Sequence, residues 1–229
     1  FTETGLLDPN VHPWVAQSWA KSRELGVLSE KMPSLLTLDK PELIRRQQLH
    51  EKAIEYLNGF YNQTREYFNV YNLSLLLLDN ECYVLKNYAL PFFQKNAGEL
   101  AGARLAEEDI GTSSISIAYE HKVPFLLFGA EMWIRECQDG DACSVPIIVD
   151  GQLVYIVTIV SVAQEKLAYS SIVSLLLSVK YAMEQHLTML AQLEARHAIL
   201  DSVPFAVYHI MPGGEVVYSN KLGQSRLAG

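Results

Sequence analysis

Two periods govern where hydrophobic residues fall along this chain. At the helical period, Trp14, Val15, Ser18, Trp19 and Ser22 recur after the turn-forming Asp8-Pro9-Asn10, and Gly26 supplies a stop, so residues 10–25 predict a short amphipathic helix. A loop "KMPSLLTLDKP" follows, in which Asp39 is a cap and Pro41 a helix opener. The helix predicted from about Pro41 to Tyr67 carries the stripe Leu43, Ile54, Leu57, Tyr61 and, just beyond it, Phe68. At the strand period, "LSLLLLDNECYVLKNY" reads as two strands around an Asp79-Asn80 turn, the first buried on both faces. Residues 91–108 read as irregular. Gly111 then precedes "TSSISIAYEHK", a helix capped by Thr112 or Ser113, and "VPFLLFG" is a further strand. Asp150-Gly151, between β-branched runs, is the strongest hairpin signal in the chain.

The next segment has the most regular pattern of all. Ile172, Leu176, Val179, Met183, His186, Leu190, Leu193, His197 and Leu200 alternate four and three residues apart, which is a heptad seam. In its first half, Leu175 and Leu187 widen the stripe toward that of an ordinary core helix. In its second half little beyond the seam is apolar, which favours a parallel dimer. His186 and His197 fit the seam as polar residues that fix register, ahead of a pH-switch role. Beyond it, alternating runs flank Pro212-Gly213-Gly214, another hairpin and the start of a second domain.

The sum is an α+β architecture: an antiparallel sheet flanked by helices, a long helix leaving it, and an incomplete second domain. The boundaries predicted are 1–40 for an N-terminal helical segment, 41–165 for the sheet domain, 166–201 for the signalling and dimerisation helix and 202–229 for the second domain. A length of 229 residues fits about one and a half domains. The net charge of −8 opposes direct nucleic-acid binding, because phosphate recognition needs clustered Lys and Arg. Three cysteines fit a reducing, cytoplasmic setting better than a disulfide framework. The apolar run Ser171–Leu177 is too short to cross a bilayer. The chain begins at Phe1 and reads as a segment of something longer.

Four stretches, "SWAKSRELGV" (18–27), "EEDIGTSSISIA" (107–118), "FGAEMW" (128–133) and "ACSVPIIVDGQLVYIVTI" (142–159), together resemble the sensory region of bacterial sigma-54-dependent transcriptional activators. The types most similar are the acetoin-catabolism and dihydroxyacetone-kinase regulators. The resemblance implies a GAF domain over the sheet, and a PAS domain beginning at "SVPFAVYHIMPGGEVVYSN". It also implies a non-enzymatic role in signal transduction, with ATPase and helix-turn-helix domains downstream; neither of their motifs occurs in this chain. Two positions depart from the family pattern: Glu131-Met132-Trp133 stands where the family often reads glutamate, histidine, aromatic, and Asp141 stands where it often has an aromatic residue.

Within residues 107–147, a recognition pocket asks least of each residue. Ile110, Thr112, Ser113, Phe128, Glu131, Trp133, Cys143 and Ser144 supply an apolar wall with a few polar groups, suited to a small-molecule effector that the sequence does not name. The Gly111 turn offers N–H groups to an anion, or simply caps a helix. The alternatives are a thiol reductase or redox sensor using Cys137 and Cys143, a metal (iron) site at "CQDGDAC", and a protein-docking module without a ligand. No metal ligands are assigned, because the cysteine spacing matches no zinc pattern. No catalytic residues are assigned either, because Cys143 with His121 or Glu131 lacks a nucleophile signature. No cofactor is assigned.

Overall fold

A computed structural model describes residues 10–88, 100–161 and 169–227. Residues 91–99 of the predicted irregular segment, and the predicted 165/166 boundary with the start of the long helix, lie outside the described residues. The chain divides into two compact units, Phe1–Glu184 and Gln185–Gly229.

In the first unit, α1 (Pro13–Glu24) forms where the helical spacing places it. The helix predicted over 41–67 is two helices, α2 (Lys40–Leu49) and α3 (Glu51–Val70), broken at His50. Asp39 caps α2 by accepting the Glu42 N–H at 2.8 Å. His50 leaves helical geometry with φ −107° and ψ 20°, and its Nδ1 meets the Tyr155 hydroxyl at 2.9 Å. The break is thus a tertiary contact; no proline or glycine marks it.

β1 (Leu73–Asp79) and β2 (Val84–Tyr88) are antiparallel, and all seven residues of β1 are buried. The Asp79 carboxylate organises their connection by accepting the N–H groups of Glu81 and Tyr83, both at 2.9 Å. Cys82, at φ 64°, takes a left-handed position in this connection. Arg46 of α2 donates to Asp79 at 2.7 Å and to Glu81 at 2.8 Å, and its guanidinium lies 4.5 Å from the Tyr83 ring centre. That network gives α2, which buries no residue, its attachment to the sheet.

After α4 (Glu107–Ile110) and α5 (Ser114–His121) come β3 (Phe125–Leu127), β4 (Asp141–Val149) and β5 (Gln152–Ser161). Asp150 and Gly151 close the β4–β5 hairpin with φ 50° and 76°, as Asp-Gly predicts. The five strands run in the order β2-β1-β5-β4-β3 with every pair antiparallel. One face carries Leu75, Ile159 and Cys143, and α3 covers its β1–β2 end: Tyr61 packs 4.6 Å from Tyr88, whose hydroxyl donates to Asn58 at 2.7 Å. The other face carries Leu76, Thr158 and Ser144 and lies under α5 and the Trp133 segment.

The long helix α6 spans Tyr169–Ser202 and contributes to both units. Ile172, Leu176, Val179 and Met183 are buried in this chain alone. Beside them, Lys180 Nζ donates to the Pro146 carbonyl at 2.8 Å and Glu184 accepts the Ile148 N–H at 2.7 Å, holding α6 against β4. In the second unit, β6 (Tyr208–Ile210) pairs with β7 (Val216–Ser219), and α7 (Lys221–Leu227) follows. Asn220 is fully buried there: its Nδ2 donates to the carbonyls of Leu200 and Phe205, both at 2.9 Å, and its Oδ1 accepts the N–H groups of Val207 and Gly223. The His197 ring stacks on Tyr218 with centres 4.9 Å apart.

The fold is mixed α+β with an antiparallel five-stranded sheet and a long C-terminal helix. Among the described residues, no helix is long and apolar enough to cross a membrane.

Candidate functional site

The 107–147 segment forms a wall, and much of its polar chemistry is turned toward the chain's own N-terminal region. Ser18 of α1 donates to the Glu107 carboxylate and lies 2.8 Å from the Thr112 hydroxyl, while Ser22 meets the same Thr112 Oγ1 at 3.1 Å. Lys21 bridges Glu107 at 2.5 Å and Glu120 at 3.5 Å, and its hydrogen bond to Glu107 raises the ammonium pKa. The indole N–H of Trp19 donates to the Glu131 carbonyl at 2.7 Å, and that of Trp133 to the Val27 carbonyl at 2.8 Å. Trp14 stacks on His121 with ring centres 4.1 Å apart. Serines at helical spacing on α1 therefore meet a threonine at the mouth of α5. The spacing was visible in the sequence; the partner, 90 residues from Ser22 and 94 from Ser18, was not.

The glycine turn is occupied in the same way. Gly111 adopts φ 67°, and a side chain there would also strike the Trp133 ring, whose Cδ1 lies 2.5 Å from the place a Cβ would take. Its N–H bonds to the Glu107 carbonyl at 2.8 Å. Of the two candidate caps, Ser113 holds α5: its Oγ accepts the Ser116 N–H at 3.1 Å, and Ser116 Oγ accepts the Ser113 N–H at 2.9 Å. The N–H groups of Gly111, Ser113 and Ser116 are thus paired within the chain, as the helix-capping alternative has it.

The remaining predicted wall residues are dispersed. Ile110 and Trp133 belong to a core cluster with Leu76, Leu78 and Ile156. Phe128 is exposed at 43%, and the Glu131 carboxylate turns back to accept its N–H at 3.0 Å. Ser144 sits in a buried hydroxyl chain between Ser114 and Thr158, 2.8 Å from each. Cys143, one residue away, points to the opposite sheet face beside Ile159. Cys143 and Ser144 therefore cannot line one pocket.

The thiols bear on the reductase and redox-sensor alternative. Cys137 packs against the clusters under α5, on the side of the sheet away from Cys143, so the two do not meet across the acidic loop. Burial pushes the Cys137 thiol up to about 11 and Cys143 up to about 12, which keeps both protonated near neutrality. Asp141 accepts the Gly129 N–H at 2.8 Å and closes the β3–β4 connection. Met132, at the family's frequent histidine position, is buried with Val15, Ile117, Leu127 and Ala142. Among the described residues, no cluster of three His, Cys, Asp or Glu side chains could hold a metal ion.

Two clefts flank the Lys21–Glu107 contact. One, of about 40 Å³, lies beside Trp14, Ser18 and His121. The other, of about 350 Å³, is bordered by Glu81, Tyr83, Arg104, Glu108 and Tyr119. Its cations are already paired: Arg104 donates to Asp109 at 2.7 Å, and Lys21 is held as described.

No protein-family model matches the chain, and no curated protein does. Among solved structures, the fold is similar to a chain of the crystal structure of the E. coli DhaR(N)-DhaL complex. The TM-score is 0.71 at 17% identity, covering 95% of this chain and 76% of that one.

Proposed function

We propose that the chain is the sensory input region of a transcriptional regulator of the sigma-54-dependent kind, with a GAF-like domain over about 41–165 and a PAS-like domain beginning near residue 202. The observation that carries this reading is the continuity of α6. A single helix of 34 residues supplies core side chains to the sheet unit at one end and the Leu200 carbonyl to the Asn220 hub at the other. A change in how the sheet unit grips α6 has a continuous helix along which to act, and a signal acts through its different affinity for the two arrangements. The similarity to DhaR(N) supports the reading at the level of fold.

The predicted homodimer is confined to the second half of the seam. Ile172, Leu176, Val179 and Met183 are already covered within one chain, whereas Leu193 is 46% and Met189 69% exposed. The dimer contact then comprises Leu190 and Leu193 with their neighbours, since His197 stacks on Tyr218 and the Leu200 carbonyl accepts from Asn220. Replacing Leu190 and Leu193 together by Glu should convert a dimer to a monomer in sedimentation without changing helix content. A wild-type chain that sediments as a monomer, or an undisturbed dimer in the variant, refutes the seam.

The signal itself has two readings. A small effector bound on the α5 side of the sheet is the first. A protein partner is the second, favoured because Thr112, Trp133 and Ser144 are engaged within the chain and because the similar structure is a complex with DhaL. Co-elution of this chain with a DhaL-like protein of its own source supports the second reading, and its failure at high concentration removes it.

A further inference from the structure

Four elements build the cleft of about 350 Å³: Lys21 comes from α1, Glu81 from the β1–β2 connection, Glu108 from α4, and Tyr119 and Glu120 from α5. Small-molecule sites range over roughly 300–1,000 Å³, so it has room for a short aliphatic ligand. Its lining is mixed. Cys82 and Ala106 supply apolar surface, and Tyr119, 40% exposed, supplies an aromatic ring.

Charge decides which ligands this cleft admits. Glu81, Glu107, Glu108 and Glu120 line it against two cations, Lys21 and Arg104. Both cations are already committed. Lys21 is held by Glu107 at 2.5 Å and by Glu120 at 3.5 Å, and Arg104 makes a two-pronged contact with Asp109, at 2.7 and 3.0 Å, from outside the lining. An anion would find no spare positive charge there. The carboxylates are less fully used: Glu108 reaches Arg104 only at 3.3 Å and Glu120 reaches Lys21 only at 3.5 Å, while both keep more than half of their side-chain surface exposed. Glu81 shares Arg46 with Asp79 and Glu42. These acids also converge on one place. The Tyr119 phenol pKa is raised first by burial, then by Cys82 and by the nearby charges of Glu108, Glu120 and Glu81. A concave surface lined by one sign of charge concentrates ions of the other, and a tyrosine ring attracts cations further.

We propose that this cleft binds a small organic cation, an aliphatic amine whose ammonium group pairs with Glu108 and Glu120 and whose hydrocarbon stem lies along Tyr119 and Ala106. This deepens the small-effector form of the sensory reading and rests on it. The Lys21–Glu107 contact that helps to attach α1 borders the same cleft, so a ligand there meets the α1 attachment directly.

The test is a titration of the whole chain with putrescine, followed by amide NMR shifts, with 1,4-butanediol and succinate as the neutral and anionic ligands of the same chain length. Saturable shifts centred on residues 80–83, 104–108 and 116–120 are expected with putrescine, and the other two should bind at least about tenfold more weakly. Glu108→Gln and Glu120→Gln should each weaken putrescine binding by about 3- to 10-fold, the worth of a charge-assisted contact at a largely exposed position. Glu55→Gln, at an exposed residue of α3 outside the lining, should leave it unchanged. All three variants should keep the wild-type unfolding midpoint. Absence of saturable putrescine binding overturns the proposal, as do shifts scattered over the acidic surface, equal binding of butanediol, or an equal loss in Glu55→Gln. The dimer experiment at Leu190 and Leu193 is independent of these residues, so the cleft can fail while the sensory reading stands.

Discussion

At Gly111 the backbone and a single ring constrain each other. A residue at φ 67° with Trp133 Cδ1 2.5 Å from its missing Cβ has two reasons to be glycine, one conformational and one steric. Gly111→Ala should destabilise the sheet unit by about 2–5 kcal/mol, combining left-handed strain with overpacking, as read from urea unfolding followed by tryptophan fluorescence. His50 supplies a second residue-level test. Burial lowers its pKa below the ordinary 6.5, so the folded state prefers the neutral ring and the unfolded chain binds the proton more readily. Stability should therefore fall as pH drops below 6.5, until the folded-state pKa is passed. His50→Gln should flatten the unfolding midpoint against pH between 7.5 and 5.5. Glu42 does not interfere in that window: its hydrogen bonds from Arg45 and then Arg46 hold its carboxyl near about 2, and their contribution is lost only below the ordinary carboxylate range.

Among the elements, α1 is attached by Val15 and the two tryptophans packed into the apolar clusters, and by a polar focus at Thr112. Thr112→Val removes the hydroxyl shared by Ser18 and Ser22, and should cost about 1–3 kcal/mol by leaving buried groups unpaired. Limited proteolysis with trypsin should then cut faster at Lys21 and Arg23, while β4 and β5 stay protected. What the sequence revealed about such elements depended on whether local chemistry decided them. Asp150-Gly151 and the helical period over 172–200 are local signals, and the hairpin and the helix follow them. The His50 break was illegible because its cause is Tyr155, a hundred residues away. The candidate wall was legible as a segment but not as a surface, since hydroxyls suited to a ligand serve equally well to hold α1. Alternation alone would have separated Cys143 from Ser144, because neighbours in a strand face opposite ways. Ser74 and Asn87 gave no signal at all: a serine and an asparagine in apolar strands stand out only once Ser74 Oγ and Asn87 Oδ1 are seen to have no hydrogen-bond partner among the described residues.

For the molecule as a whole, the two units differ in how their stability is made. The sheet unit has an extensive apolar core, including Leu57, Phe68, Leu75, Leu77 and Ile156, none of them exposed. The unit from Gln185 is small, and units of that size seldom bury enough apolar area to be stable by packing alone. Its one fully buried polar side chain among the described residues, Asn220, joins the end of α6, the strand entry at Val207 and the first turn of α7 by four hydrogen bonds. Removing them leaves carbonyl and N–H groups of three segments without partners. Asn220→Ala should cost about 3 kcal/mol or more locally, comparable to what so small a unit has in total. Hydrogen exchange should then show amides between residues 205 and 223 losing protection together, with those of β1, β4 and β5 unchanged. Equal loss of protection in both units would mean that they fold as one cooperative body. Relay through α6 would then need no separate receiving unit.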